Sequence, residues 1–181
     1  SGEFPRGGLE MKALLVIDML NDFIKEDGAL PAGEAGLEII GFIRGKTEEF
    51  RKNGWPVIYI CDSHEPDDKE FDMFPNHCVS GGKGCEIIPE LDVLPGDKVI
   101  KKRRYSAFFG TDLDLYLREK GVDELFLVGV NTNICVLYTA ADARNINYKV
   151  TIFEKGVASF DPEAHVFALK EAKNTLGCSV A

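Results

Sequence analysis

Nowhere do about eighteen apolar residues run together, so the sequence offers no transmembrane helix. Positive charge is in deficit: 21 Lys and Arg stand against 30 Asp and Glu, a formal net charge of −9, which repels nucleic acid and anionic membrane surfaces alike. Cysteine is sparse and oddly numbered. The five residues Cys61, Cys78, Cys85, Cys135 and Cys178 show no C-x-x-C spacing, which suits free thiols in a reducing cytoplasm rather than a disulfide framework. No G-x-G-x-x-G fingerprint occurs, and the cluster Gly81-Gly82-Lys83-Gly84 lacks the G-x-x-x-x-G-K-[ST] spacing of a phosphate loop, so no nucleotide cofactor is implied. Repeats and low-complexity tracts are missing too. Histidine is scarce, three in all, and two of them fall in one loop.

What remains is a chain of 181 residues, 45% of them hydrophobic, enough for one domain with a substantial core. Residues 1–10 precede Met11, have no apolar centre and read as an appended leader, leaving 11–181 as the domain. Short apolar runs alternate with helical patterns. Strands are expected over Lys12–Asp18, Pro56–Cys61, Asp97–Lys101, Leu125–Val130, Tyr148–Phe153 and Cys178–Val180. Between them, helices are expected over Glu34–Asn53, from Thr111 as cap through Arg118, from Ile134 to Ile146 and from Pro162 to Asn174, with Asn21–Phe23 in a loop. This alternation predicts a three-layer α/β/α domain on a mainly parallel, doubly wound sheet.

Chemistry gathers at the strand ends. Asn131, Thr132 and Asn133 follow a buried strand and precede an Ala-rich helix, which puts Cys135 in the first helical turn, where unpaired N–H groups and the helix dipole lower a thiol's pKa. The alternative is a buried, inert thiol. Asp18 ends the first strand, and open α/β sheets bind ligands at that edge, so Asp18 reads as a base for the thiol or as a loop acid. Lys102 reads either as the cation beside a thiolate or as one solvated member of the basic cluster Lys101–Arg104. His165 sits on a helix beside Ala164 and Val166 and reads as packed or solvated.

A second constellation lies in the irregular stretch from Ser63 to Pro95. Asp62 and His64 stand at i and i+2, on one side of an extended chain. His77 completes a set of one carboxylate and two imidazoles, with Glu70 as a possible fourth ligand, and this mixture suits Zn²⁺, Fe²⁺ or Mn²⁺.

At these residues the chain resembles the isochorismatase-like cysteine hydrolases, and among them the nicotinamidases. The resemblance spans the chain from Met11 onward and rests on residues 15–23, 62–64, 74–79, 101–113 and 129–136. It implies an Asp18, Lys102 and Cys135 triad that hydrolyses a small amide through a thioester, and a cis peptide at Val130–Asn131. It implies an oxyanion hole of the Asn131 and Cys135 N–H groups. It further implies one divalent metal at Asp62, His64, Glu70 and His77 that takes the substrate's ring nitrogen, aromatic packing by Phe23, Phe74 and Tyr105, and a homo-oligomer. A metal-independent relative acting on another small amide or an enol ether is the alternative.

Overall fold

The apolar run Met11–Ile17 forms strand β1, whose last five residues are buried on both faces, as a central parallel strand requires. Ala13, Leu15 and Ile17 point into one core layer, and Leu14 and Val16 into the other. The chain continues through helices α1 (Asn21–Ile24), α2 (Glu34–Glu38) and α3 (Ile40–Lys52) to β2 (Val57–Asp62). A long connection with two short 3₁₀ turns leads to β3 (Lys98–Lys102), followed by α4 (Leu113–Glu119) and β4 (Val122–Val130). A π-helical turn over Thr132–Val136, α5 (Leu137–Asn145), β5 (Lys149–Ala158), α6 (Pro162–Asn174) and β6 (Ser179–Val180) complete the domain. The computed structural model describes residues 10–181, so the leader expected over residues 1–10 lies, apart from Glu10, outside the described residues.

All six strands pair in parallel, in the order β3-β2-β1-β4-β5-β6. Winding therefore reverses between β1 and β4, and the crevice beyond their carboxyl ends is the switch point where such sheets take ligands. α4, α5 and α6 cover one face through Leu113, Leu117, Ala140, Ala143, Leu169 and Ala172. Ile24, Ile39, Ile43 and Phe50, from α1 and α3 and the joint before α3, cover the other. Among the described residues no helix is long and apolar enough to cross a membrane.

Several boundaries differ from expectation. The helix expected over Glu34–Asn53 is divided by a joint at Ile39, after a first segment weakened by Gly36, which packs against Ala32. Asn21–Ile24 is a helical turn rather than loop. α4 starts at Leu113, because the Thr111 hydroxyl donates to the Ala107 carbonyl at 2.6 Å and holds the chain in a turn until Asp112. β5 passes the polar Glu154-Lys155-Gly156 by a shift of register and rejoins β4 at Val157 and Ala158.

Candidate active site

Four strand ends supply the residues at the switch point. Asp18 follows β1 with φ of 54°, a left-handed conformation that aspartate tolerates better than most residues. Its N–H donates to the Ile60 carbonyl, and its Oδ1 accepts the Asp62 N–H at 2.9 Å. Asp62 and Lys102 end β2 and β3 and are register partners, so the sheet itself sets them side by side. β4 approaches β1 so closely at Gly129, where φ is 121°, that a Cβ there would collide with the Ile17 carbonyl. Beyond it the Val130–Asn131 peptide is cis, and the π-turn carries Cys135.

These ends bring the expected trio together. Lys102 is 1% exposed and Asp18 fully buried. The Lys102 ammonium lies 3.0 Å from Asp18 Oδ2, donates to Asp62 Oδ1 and to the Arg104 carbonyl, and stands 3.4 Å from Cys135 Sγ. Asp18 Oδ2 is the oxygen that faces that ammonium, and both Lys102 and the Cys135 thiol lie within its hydrogen-bonding reach. Burial raises the Asp18 pKa, Lys102 lowers it and Asp62 raises it again, for a value of about 6. Burial alone would neutralise Lys102, but Asp18, Cys135 and Asp62 hold its pKa well above the ordinary lysine value.

The thiol departs from the expectation based on its helix start. Burial pushes the Cys135 pKa well up, Lys102 opposes this, and Asp18 and Asp62 add to it. A largely buried thiol beside two carboxylates is held toward its protonated form, with Asp18 within hydrogen-bonding reach to take the proton.

The second constellation also closes. Asp62, His64, Glu70 and His77 are all buried, and one ligand atom from each lies within 4.8 Å of the others. His64 Nε2 is 3.1 Å from Asp62 Oδ2 and 3.2 Å from Glu70 Oε2, while His77 Nε2 is 3.3 Å from Glu70 Oε2. Tetrahedral ligands at about 2.1 Å from an ion stand roughly 3.4 Å apart, so the donor set fits a small divalent cation. The second ring nitrogens face acceptors, His64 Nδ1 meeting Asp68 at 2.9 Å and His77 Nδ1 the Pro75 carbonyl at 2.7 Å, which leaves both Nε2 atoms for a cation. Burial would lower the His77 pKa, yet the carboxylates of Asp62 and Glu70 and the Pro75 carbonyl raise it to about 10. Sequence spacing did not show how these loops meet. His64 and Val79 form an isolated parallel bridge, with the His64 N–H donating to Cys78 and Ser80 donating back to His64.

Both constellations open on one cavity of about 230 Å³, shared by Asp18, Cys135, Asp62 and His77. Phe23, Phe74, Tyr105 and Asn131 line it as well. Leu30, Pro31 and Phe160 line it without having been anticipated. Asp22 brings in the first two, its Oδ1 accepting the Ala29 N–H while its Oδ2 accepts the Cys78 N–H beside His77. Phe160 arrives because β5 runs longer than its sequence suggested, and the Asn131 side chain accepts its N–H at 3.2 Å. His165 lies apart from the trio, hydrogen-bonded to Thr132 Oγ1 at 2.7 Å.

The edge defines the class: a three-layer parallel α/β domain with a thiol, a carboxylate and an ammonium clustered at the switch point of its sheet. The chain belongs to the isochorismatase family, whose Isochorismatase domain profile matches residues 12–180. Among solved structures it is similar to a nicotinamidase/pyrazinamidase, PncA from Bacillus subtilis, at 42% identity and a TM-score of 0.90, over 94% of this chain and 99% of that one. A pyrazinamidase/nicotinamidase from Streptococcus mutans matches at 38% identity and TM-score 0.89, covering 94% and 99%. A Pyrococcus horikoshii pyrazinamidase, solved in complex with zinc, matches at 32% identity and TM-score 0.89, covering 94% and 98%.

Proposed function

We propose that the protein is a metal-dependent nicotinamidase that hydrolyses nicotinamide to nicotinate and ammonia through a thioester on Cys135. The observation that carries the proposal is the single cavity shared by the thiol with its base and by two members of the metal-ligand set. The Asp18 carboxylate takes the thiol proton, and the sulfur attacks the carboxamide carbon. Lys102, 3.4 Å from the sulfur, stabilises the thiolate as it forms. The N–H groups of Asn131 and Cys135 hold the oxyanion in a site screened from water. Asp18 returns the proton to the departing nitrogen, the C–N bond breaks, and ammonia leaves the thioester. Asp18 then accepts a proton from water as it attacks the thioester carbon, and the released sulfur takes that proton back.

A divalent cation at Asp62, His64, Glu70 and His77 would supply a Lewis-acid contact for the ring nitrogen of the substrate. Phe23, Phe74 and Tyr105 hold the ring between them, which suits a flat, uncharged amide. The test is ammonia release from nicotinamide by the purified protein, before and after chelation and zinc restoration, beside Cys135→Ala. Release that depends on Cys135 and on metal is expected. A folded, zinc-loaded protein that releases none overturns the substrate assignment and directs the same chemistry to another small amide.

A further inference from the structure

Asp68 takes no part in the chemistry above, yet it is among the most fully engaged carboxylates in the domain. Its side chain is completely buried. It caps the 3₁₀ turn Lys69–Asp72, and its Oδ1 accepts the Glu70 N–H at 2.9 Å. Its Oδ2 meets His64 Nδ1 at 2.9 Å and accepts from Arg103 Nη2 at 3.1 Å, while Arg104 Nη1 donates to Oδ1 at 3.0 Å. These partners come from three segments: the ligand His64, the turn bearing the ligand Glu70, and the two residues after Lys102.

Resting on the reading of Asp62, His64, Glu70 and His77 as metal ligands, we propose that Asp68 is a positioning residue: it fixes His64 with Nε2 turned to the metal and ties the Lys102–Arg104 turn to the same point. The other partners of its side chain, the Glu70 N–H and the Arg103 and Arg104 guanidinium groups, are all donors, so Asp68 is held as an acceptor. His64 Nδ1 therefore carries the proton, and the lone pair lies on Nε2, between Asp62 and Glu70. Phe71 packs edge-on against the ring at 5.4 Å and limits its rotation. The exposed Arg103 and half-buried Arg104 side chains neutralise the buried charge and anchor the backbone whose Arg104 carbonyl accepts from Lys102 at 2.9 Å.

Every polar neighbour of Asp68 is a donor, which makes Asp68→Asn a sharp probe. The amide nitrogen of Asn finds an acceptor only if His64 gives up its Nδ1 proton, and the tautomer that results carries hydrogen on Nε2 and does not ligate there.

The experiment is zinc affinity by competition with a chelating indicator, on the full chain carrying Asp68→Asn, His64→Ala or both. Asp68→Asn is expected to weaken zinc binding roughly 10- to 100-fold, as loss of a ligand's supporting carboxylate does. In the His64→Ala background the same change is expected to shift affinity by less than about twofold, because a residue acting through another shows its effect only when that other is present. Unchanged affinity in Asp68→Asn, or equal losses in the two backgrounds, overturns the proposal and leaves the metal reading intact. Failure of the unsubstituted chain to take up stoichiometric zinc overturns the metal reading and the proposal with it. Should Asp68→Asn not fold, ¹⁵N-histidine NMR of the unsubstituted zinc-loaded chain decides: His64 liganded through Nε2 with hydrogen on Nδ1 supports the proposal, and ligation through Nδ1 overturns it.

Discussion

Lys102 Nζ lies 3.4 Å from Cys135 Sγ, and the same ammonium bridges Asp18 and Asp62, so one buried cation faces the thiol and both carboxylates. Replacing it with a neutral side chain of similar length leaves two buried carboxylates facing each other without their cation. Lys102→Met is therefore expected to destabilise the fold by about 3–5 kcal/mol, the usual effect of breaking a buried ion pair from one side. It is also expected to slow alkylation of Cys135 by iodoacetamide at least tenfold. Thermal melts and the alkylation rate check the two effects, and an unchanged rate in a folded variant would falsify the role given to Lys102.

Asp18 must be ionised to accept the thiol proton, and its pKa of about 6 lies above the ordinary aspartate value of 3.8. An acid with a raised folded pKa binds its proton more tightly when folded. Its ionisation thus costs stability that is absent below pH 3.8, grows between 3.8 and about 6 and is fully present above. Activity and this contribution to stability run in opposite directions with pH. kcat/KM for nicotinamide is expected to fall about tenfold per pH unit below about 6, with zinc content verified at each pH. A profile that stays flat down to pH 4.5 excludes Asp18 as the base.

Chelation tests the four proposed ligands separately from the thiol. Chelation is expected to abolish ammonia release while Cys135 still reacts with iodoacetamide, because the trio does not need the cation to assemble. Zinc at 100 times its dissociation constant adds about 2.7 kcal/mol of stability, which should appear as a rise in Tm. Glu70→Gln keeps the shape of the side chain and lowers the charge of the ligand set, so it should weaken zinc binding about tenfold or more. Equal zinc affinity in Glu70→Gln would reduce the site to Asp62, His64 and His77.

The sheet was legible because buried parallel strands read as short, nearly unbroken apolar runs, and Asp18, Asp62 and Lys102 stand where those runs end. Their meeting follows from strand order, since β1 lies between β2 and β4 and the carboxyl ends share one edge. Asp68 was not legible. It looks like a surface turn residue among charges, and only the fold buries it under His64, Arg103 and Arg104. Phe160 was hidden by the polar Glu154-Lys155-Gly156, which reads as the end of a strand but is a change of register within one. The upward push on the thiol pKa was hidden for a different reason: position at a helical start is local and visible in sequence, whereas burial beside two carboxylates arises only once four strands assemble.

Phe160 is 59% exposed although it lines the cavity, an arrangement that a bound ring would change by covering it. Phe160→Ala is expected to alter stability by no more than about 0.5 kcal/mol, as surface substitutions do. KM for nicotinamide should rise severalfold, and amides with bulky substituents far from the carboxamide should become better substrates. Unchanged KM together with unchanged selectivity would place the ring elsewhere in the cavity.

Gly129 stands where the fold meets the site. Its φ of 121° is a conformation that residues with a Cβ avoid, and a Cβ there would collide with the Ile17 carbonyl, one residue before Asp18. Gly129→Ala must therefore push β4 away from β1 at the point where the Cys135 turn meets the Asp18 turn. Backbone strain of this kind amounts to about 1–3 kcal/mol before any movement is counted. The substitution is expected to lower stability by at least that much and, in the protein that still folds, to reduce kcat for nicotinamide about 100-fold with zinc affinity near normal, because the ligands stand on β2 and the loop beyond it. A large loss of zinc affinity with kcat preserved would reverse this assignment, placing the strain of β4 on the metal loops instead of between the thiol and its base.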